Sequence, residues 1–508
     1  MSLRVRARRS TISLGIAFIF IAYVWFLPLY DAELLSLLQA ARRTLLLNQQ
    51  QELQAEETSR PLASTREETT IPSVILPGSN PPIKQSTWVL GFALMDTLYL
   101  RDGSFYVVTE NPEFPSRDDL IARWLDLDSG LDRTATDKEM QIISPEMASE
   151  VLGEVATVIP GFSVILYDPP QFMHHFYHWW GEIILGMWRV YSTLVFGPGE
   201  GLGEDSGMKS LNSLSLPSRF ILPAIQGKEW RDRAGVIGPL MRAAFPGALI
   251  ETSDYWEDLI DLETTVVFER AMIINRYNAH RHPNNNRWFK MIAGAMSLSA
   301  PEGYWEPIRK SILRNTLGYI PFVDSQARVV ESSVPDSQED REYRNRPVVT
   351  YISRQNARRR LVEEDHLRLV ESLKQLEEEG LCRLEIPAME RLNIKQQLEI
   401  GARTTIMVGV HGNGLTHQLI MPPSLRSAVF EIFDPPSYVF DYEMLARNLG
   451  HKHYGVQNDS FLTFPAQEYH EGLYYSPGFH GNSIPVYGPA IADMIRKRLT
   501  EPEDAVQS

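Results

Sequence analysis

Strand-length apolar runs alternate with helical segments between residues 347 and 450, and this alternation restricts the fold more than any other feature of the chain. In the helical segments apolar residues recur every three or four positions, as in amphipathic helices. Strands joined through helices run parallel in one sheet, and ligands of such Rossmann-like sheets lie beyond the carboxyl ends of the strands. The predicted elements are strand 347–352, helix 363–380, strand 381–386, helix 394–403, strand 405–410, a short helix 415–421, strand 428–433 and helix 438–450.

A glycine-rich turn follows the third of these strands. Residues 409–417 read GVHGNGLTH, so His411, Gly412, Asn413 and Gly414 lie between a strand and a short helix. Glycine lets the backbone approach a ligand closely, and the free N–H groups at a helix start favour an anion such as phosphate. A tight strand-to-helix turn that binds nothing explains the same spacing.

Arginines cluster after the first predicted strand. Residues 353–360 read SRQNARRR, which places four arginines at the same sheet edge as the glycine-rich turn. Guanidinium groups suit the oxygens of a diphosphate, whereas a solvated basic turn is the alternative interpretation. Glu431, in the strand at 428–433, could accept hydrogen bonds from ribose hydroxyls, as acidic residues do in dinucleotide-binding folds.

A third motif, HHFYHWWGE, occupies residues 174–182 in a segment predicted to be helical from 172 to 196. On a helix, His174, His178 and Glu182 share one face. That face could ligate a metal ion, or hold His178 or Glu182 as a general base. It lacks the HExxH motif of zinc peptidases, and a buried aromatic helix with structural histidines is the alternative.

The N-terminal segment predicts a membrane anchor. Residues 11–30 carry no charge and, as a helix, span roughly 30 Å. Arginines precede them, so the positive-inside rule leaves residues 1–10 in the cytosol and sends the remainder into a lumen. A cleaved signal peptide is the rival interpretation; bulky residues at the end of the apolar run disfavour it. Residues 31–86 predict a helical stem, with capacity for dimerisation, and a Pro/Ser/Thr-rich linker.

This organisation is typical of a single-pass type II protein of the Golgi or endoplasmic reticulum membrane. Asn458, in the sequon Asn-Asp-Ser, would be available for N-glycosylation in the lumen. The body is predicted to comprise an N-terminal α/β domain at 87–323, a linker at 324–346, a Rossmann-like domain at 347–480 and a C-terminal tail or helix at 481–508.

Composition excludes several other classes. The chain has 49 basic and 64 acidic residues and a net charge of −15, which argues against binding to nucleic acid. Cys382 is the single cysteine, so an intramolecular disulfide framework and a zinc site built on several thiolates are excluded.

Taken together and in order, the segments FYHWWGE, ISRxxxRRxxxEE, QLEI, GVHGNGLTH and FEIF make the chain similar to the family 61 glycosyltransferases. The resemblance extends over roughly residues 172–455. Two positions depart from the family pattern: Asn413 stands where many members carry Ala, and Glu363 where Asn is frequent.

The resemblance implies an α/β GT-B-like fold, with two Rossmann-like domains facing a cleft. It further implies transfer, with inversion, of N-acetylglucosamine or a pentose such as xylose from a UDP-sugar to a hydroxyl of a glycoprotein or polysaccharide. Arg354 and Arg359 would hold the diphosphate without a metal or other cofactor, residues 411–414 would lie against the donor, and Glu431 would bind the ribose. His178 or Glu182 would serve as the base.

Two other classes remain open from the sequence. A membrane-bound lectin or scaffold could keep the fold without the chemistry. A metal-dependent hydrolase could use the face of His174, His178 and Glu182, and would contain stoichiometric metal.

Overall fold

The computed structural model describes residues 88–126, 129–196, 214–324, 328–330, 344–463 and 472–502. The strands of this part are β1 (Trp88–Val89), β2 (Phe92–Arg101), β3 (Ser104–Val108), β4 (Met140–Ile143), β5 (Ala156–Leu166), β6 (Arg219–Ile221), β7 (Leu249–Glu251), β8 (Thr265–Ile274), β9 (Phe322–Val323), β10 (Val329–Val330), β11 (Val348–Ile352), β12 (Arg383–Glu385), β13 (Ile406–Val410), β14 (Ala428–Phe433), β15 (Lys452–Gln457) and β16 (Ser460–Thr463).

Its α-helices are α1 (Arg117–Leu120), α2 (Pro145–Leu152), α3 (Leu185–Phe196), α4 (Ile237–Ala244), α5 (Ser253–Asp261), α6 (Arg276–His280), α7 (Pro283–Trp288), α8 (Glu306–Leu317), α9 (Glu363–Glu378), α10 (Ile394–Arg403), α11 (Asp441–Leu449) and α12 (Gly488–Thr500). A π-helix covers His178–Ile184, and 3-10 helices cover Met291–Ala293, Ala295–Ser297, Met389–Arg391 and Asn413–Ile420.

The alternation predicted after residue 347 forms a sheet of six strands within the described residues, in the order β12-β11-β13-β14-β15-β16. All neighbouring pairs are parallel except β15 and β16, which form an antiparallel hairpin. The predicted strands and helices of this segment are confirmed, with boundaries that differ by a few residues. The carboxyl ends of β11 and β13 therefore lie side by side, which brings together the arginine cluster and the glycine-rich turn.

The first half of the described chain forms a mixed sheet of eight strands. Strand β2 is antiparallel to both β3 and β8, whereas β5 is parallel to β6 and β8. Short apolar runs in the sequence of this half also predict strands at 163–167, 219–223 and 265–268, and these correspond to β5, β6 and β8. The prediction of a mixed α/β protein is thus confirmed, with two multi-stranded sheets.

A continuous apolar cluster lies between the two sheets. On β14, Val429 and Phe433 point into this cluster and Phe430 packs on the opposite face, as the alternation of side chains along a strand requires. Strands β2 and β5, the π-helix and α11 also contribute to the cluster. Across it, the indole N–H of Trp305 donates to the carbonyl oxygen of Leu419 at 2.9 Å. Residues from both halves therefore share one core.

The predicted membrane anchor, residues 11–30, and the stem and linker, residues 31–86, lie outside the described residues. In the part of the chain that the structure covers, no helix combines the length and apolar character needed to cross a bilayer. The predicted linker at 324–346 is described only at 324, 328–330 and 344–346, so the domain boundaries remain predictions.

Candidate functional site

A cavity of about 380 Å³ lies at the carboxyl ends of β11 and β13. It is lined by His175, His178, Arg354, Arg358, Arg359, His411, Gly412, Asn413, Asp441, Tyr442 and His480. The cavity thus combines the histidine motif of the first half with the arginines and the glycine-rich turn of the second. Of the remaining site residues predicted from the sequence, Glu182, Gly414 and Glu431 do not line it.

Arg354 and Arg359 point at the same main-chain oxygen. Their Nη1 atoms donate to the carbonyl oxygen of His411 at 3.2 Å and 2.7 Å. Arg359 also lies over the Phe479 ring and within 2.7 Å of His480 Nδ1. Within the described residues neither arginine has a carboxylate partner, and the Nε atoms of both are buried without an acceptor. Burial lowers the pKa of both guanidinium groups, so an anion in the cavity would relieve an unfavourable charge.

Gly412 makes room for Arg354. Its backbone has φ 149° and ψ 175°, and a Cβ there would lie 1.5 Å from Arg354 Nη1. Only glycine combines that conformation with so close a guanidinium group. Gly414 has a packing role, because a Cβ there would lie 2.9 Å from Ile352 Cγ2. Asn413 is exposed at the start of the 3-10 helix that follows.

Glu431 lies in the core behind the cavity. On β14 its side chain shares the face of Val429, and both its oxygens are occupied: Oε1 by His411 Nδ1 and Oε2 by His453 Nε2, the latter at 2.8 Å. Burial raises the pKa of Glu431 well above its usual range and lowers those of His411 and His453 to about 3. The three groups therefore form an uncharged cluster in which Glu431 donates to one histidine and accepts from the other. A ribose contact with Glu431, as predicted, would require one histidine to move.

Glu182 and His178 form a dyad. His178 Nδ1 donates to Glu182 Oε2 at 2.6 Å, and Arg276 Nη1 donates to the same oxygen at 2.7 Å. The N–H of Met291 donates to Oε1 at 3.1 Å. Burial alone would raise the pKa of Glu182, but Arg276 and then His178 hold it well below its usual range. Because an ionised carboxylate only accepts hydrogen bonds, Nδ1 carries the proton, and Nε2 of a neutral His178 is left as an acceptor.

The start of the π-helix separates His178 from His174. It begins at His178, whereas His174 lies exposed in the preceding turn. The prediction that His174 shares a helical face with His178 and Glu182 is therefore wrong, because His174 precedes the helix. Among the described residues, no group of three or more His, Cys, Asp or Glu side chains could hold a metal ion.

Sequence reasoning missed Asp441. It begins α11, lines the cavity, and pairs with Lys290 Nζ at 2.8 Å. Burial would raise the pKa of Asp441, but the Lys290 ammonium paired with it holds that pKa below its usual range. One sequence feature could have identified it. Asp441 is an acidic residue in the first turn of the helix predicted at 438–450, and that helix follows a strand that ends at the same sheet edge.

Asn458, the predicted glycosylation site, is exposed in the two-residue turn between β15 and β16. Its φ of 57° suits a tight hairpin turn. The structure thus places the sequon on an accessible hairpin tip, while its modification remains a prediction.

The family comparison covers seven of the eleven residues that line the cavity. The sequence model of the family Glycosyltransferase 61 matches residues 176–428, about half of the chain. A Drosophila melanogaster protein named EGF domain-specific O-linked N-acetylglucosamine transferase is 34% identical over 125 residues. That match covers 24% of this chain and 22% of the relative, so the alignment spans less than a quarter of either protein. The family match includes the His178–Glu182 dyad, the arginine cluster and the glycine-rich turn, and the chain belongs to glycosyltransferase family 61.

Proposed function

We propose that the protein is an inverting glycosyltransferase with a GT-B-like fold. It transfers N-acetylglucosamine or a pentose such as xylose from a UDP-sugar to a hydroxyl group of a glycoprotein or polysaccharide. The observation that carries this proposal is one cavity lined both by the histidine of a His–Glu dyad and by two arginines that have no carboxylate partner in the described chain. Membership of the family supports transferase activity, and the name of the Drosophila relative favours N-acetylglucosamine as the sugar.

Arg354 and Arg359 bind the diphosphate of the donor in this proposal. A diphosphate would take the place of the His411 carbonyl as their acceptor, and it offers partners to guanidinium N–H groups that now have none. Their charge stabilises the diphosphate as it leaves, which supplies the electrostatic contribution that a metal ion supplies in other enzymes. Arg358 lines the same cavity and adds to its positive potential.

His178 is the base, and Glu182 is its positioning residue. Nε2 of His178 accepts the proton of the acceptor hydroxyl while that oxygen attacks the anomeric carbon, and the bond from that carbon to the diphosphate breaks as UDP departs. Glu182 fixes the tautomer of His178 and stabilises the imidazolium that forms. Glu182 itself is poorly suited to be the base, because it is buried, strongly acidic and fully occupied by donors.

The cellular setting is part of the same proposal. Residues 11–30 would anchor the protein in the Golgi or endoplasmic reticulum membrane with the catalytic part in the lumen, and residues 31–86 would form a stem able to mediate a dimer. Nucleotide sugars and acceptor glycans meet in that compartment, and no nucleic acid partner is proposed.

Thermal unfolding of the purified full-length chain tests the donor class. The panel contains UDP, UDP-N-acetylglucosamine, UDP-xylose, GDP and CMP, each with and without EDTA. A ligand at 100 times its Kd adds about 2.7 kcal/mol to the free energy of unfolding. We expect stabilisation by UDP and a UDP-sugar that EDTA leaves unchanged. Stabilisation by no nucleotide, or only with a divalent metal, would contradict the proposal.

Transfer assays test the base. His178→Ala and Glu182→Gln should each abolish transfer while UDP still stabilises the protein. His174→Ala is the matched control, because His174 is an exposed neighbouring histidine that does not line the cavity. Unchanged transfer in both dyad variants would refute the assignment. UDP binding without transfer by the wild-type protein, against a panel of glycoprotein and polysaccharide acceptors, would favour the lectin or scaffold interpretation.

A further inference from the structure

Asp441 differs in charge from the other described residues that line the cavity. It is the only carboxylate among them, against three arginines and four histidines. Its Oδ2 lies 2.8 Å from Lys290 Nζ, and its side chain is 16% exposed. Within the described chain the other oxygen, Oδ1, has no hydrogen-bond partner, and it is not fully buried. One oxygen is thus fixed by Lys290, and the other is free to accept a hydrogen bond in the cavity.

Lys290 and Met291 place this carboxylate on the side of the dyad. Lys290 Nζ binds Asp441, and the next residue, Met291, donates its N–H to Glu182 at 3.1 Å. None of the cavity arginines in the described chain lies within salt-bridge distance of Asp441. Asp441 is therefore tied to the dyad through residues 290 and 291 and forms no ion pair with the arginines.

The geometry of an inverting displacement locates the sugar. The anomeric carbon lies between the base and the leaving diphosphate, so a sugar bound here has His178 on one side and Arg354 and Arg359 on the other. Asp441 then lies beside the sugar ring rather than beside the diphosphate.

We propose that Asp441 recognises the donor sugar, by accepting a hydrogen bond from a sugar hydroxyl or amide N–H on Oδ1, and that it selects uncharged sugars against uronic acids. This inference rests on the proposed function. A partly buried carboxylate forms a strong hydrogen bond to a neutral donor group, whereas it repels a second carboxylate brought within a few ångströms. The Lys290 ammonium keeps Asp441 ionised and oriented.

Calorimetric titration of the full-length chain with UDP, UDP-N-acetylglucosamine, UDP-xylose and UDP-glucuronic acid tests the inference. In the wild type, at least one neutral UDP-sugar should bind more tightly than UDP, and UDP-glucuronic acid should not. Asp441→Asn should weaken that neutral UDP-sugar by about 10- to 100-fold, the loss of one charge-assisted hydrogen bond. The affinity for UDP itself should change by less than about twofold, because UDP does not reach Asp441.

Glu443→Gln is the matched control. Glu443 is a buried, cation-paired carboxylate on the same helix that does not line the cavity, so its loss should leave the ratio of UDP-sugar to UDP affinity unchanged. Should Asp441→Asn fail to fold because Lys290 is left unpaired, the double variant Asp441→Asn with Lys290→Met removes both charges and carries the same expectation.

The outcomes separate this inference from the function beneath it. No binding of UDP by the wild type overturns the proposed function. If the wild type binds UDP but Asp441→Asn keeps the wild-type affinity for every UDP-sugar, only the role of Asp441 is overturned. A wild type that prefers UDP-glucuronic acid has the same consequence. Loss of transfer with unchanged UDP-sugar affinity would instead make Asp441 part of the chemical step, and also overturns sugar recognition.

Discussion

Gly412→Ala would place a methyl carbon where the guanidinium group of Arg354 now lies. The new Cβ would be 1.5 Å from Arg354 Nη1 and 2.6 Å from Cζ, so Arg354 would have to leave its hydrogen bond to the His411 carbonyl. The φ of 149° is also one that alanine rarely adopts. Holding a residue with a side chain in such a region costs about 1–3 kcal/mol.

The loss of affinity follows from the displaced arginine. A hydrogen bond to a charged group contributes about 1.5–3 kcal/mol, which corresponds to roughly a 10- to 150-fold change in Kd. We therefore expect Gly412→Ala to weaken UDP binding by that factor. The free energy of unfolding should fall by about 1–3 kcal/mol from backbone strain.

Calorimetric titration with UDP and denaturant unfolding measure the two effects. Gly235→Ala is the control, because Gly235 has a positive φ of 75° with no atom within 4 Å of the place a Cβ would take, and so tests strain without a clash. In the double variant with Arg354→Ala, the alanine at 412 should weaken UDP binding little further, because both substitutions remove the same contact. Wild-type affinity in Gly412→Ala, or fully additive losses, would refute the reasoning.

Three further predictions concern protonation, the buried cluster and modification. Burial lowers the pKa of His451 from 6.5 to about 4. The unfolded state therefore binds a proton that the folded state does not bind, so this contribution to the free energy of unfolding is complete above pH 6.5 and decreases by about 3 kcal/mol as the pH falls from 6.5 to 4; His451→Gln should flatten that slope in urea unfolding. Glu431→Gln should change the free energy of unfolding little, since an amide can also donate to one histidine and accept from the other. Glu431→Ala should lower it by about 1–3 kcal/mol per histidine left unpaired. Equal losses of stability for the two variants in chemical denaturation would refute the uncharged cluster. Asn458→Gln should remove an endoglycosidase-sensitive mass from protein made in the secretory pathway, and a wild type that endoglycosidase does not shift would contradict the sequon prediction.

Local signals explain why the second half of the fold could be predicted. Strand β13 is a short, continuous apolar run, and β14 is apolar except for Glu431, as expected for parallel strands covered on both faces. Helix α10 begins after Asn393, whose side chain and that of Gln396 form a capping box. The cavity could be anticipated because the ends of neighbouring parallel strands must meet at one sheet edge.

The rest of the candidate site depends on contacts between residues distant in the sequence, which no local sequence pattern predicts. The segment that begins at His178 is buried on nearly all sides, so its apolar residues show no period that distinguishes a π-helix from an α-helix. For the same reason the sequence does not show where the helix begins, and His174 lies before that point. The pairing of Asp441 with Lys290, and of Glu431 with His453, joins residues from different elements. Such pairs follow from packing and strand register, which the sequence does not display directly.

The core shared by the two sheets limits how substrates can exchange. Swinging the halves apart about a hinge would expose the apolar cluster to water and break the Trp305–Leu419 and Lys290–Asp441 contacts. Exposed apolar surface costs about 25 cal/mol per Å², so such an opening is far less favourable than rearranging side chains at the cavity mouth. Entry of the proposed nucleotide donor and release of its product would then depend on residues such as Arg359 and His480, while the two sheets stay packed on their common core throughout turnover.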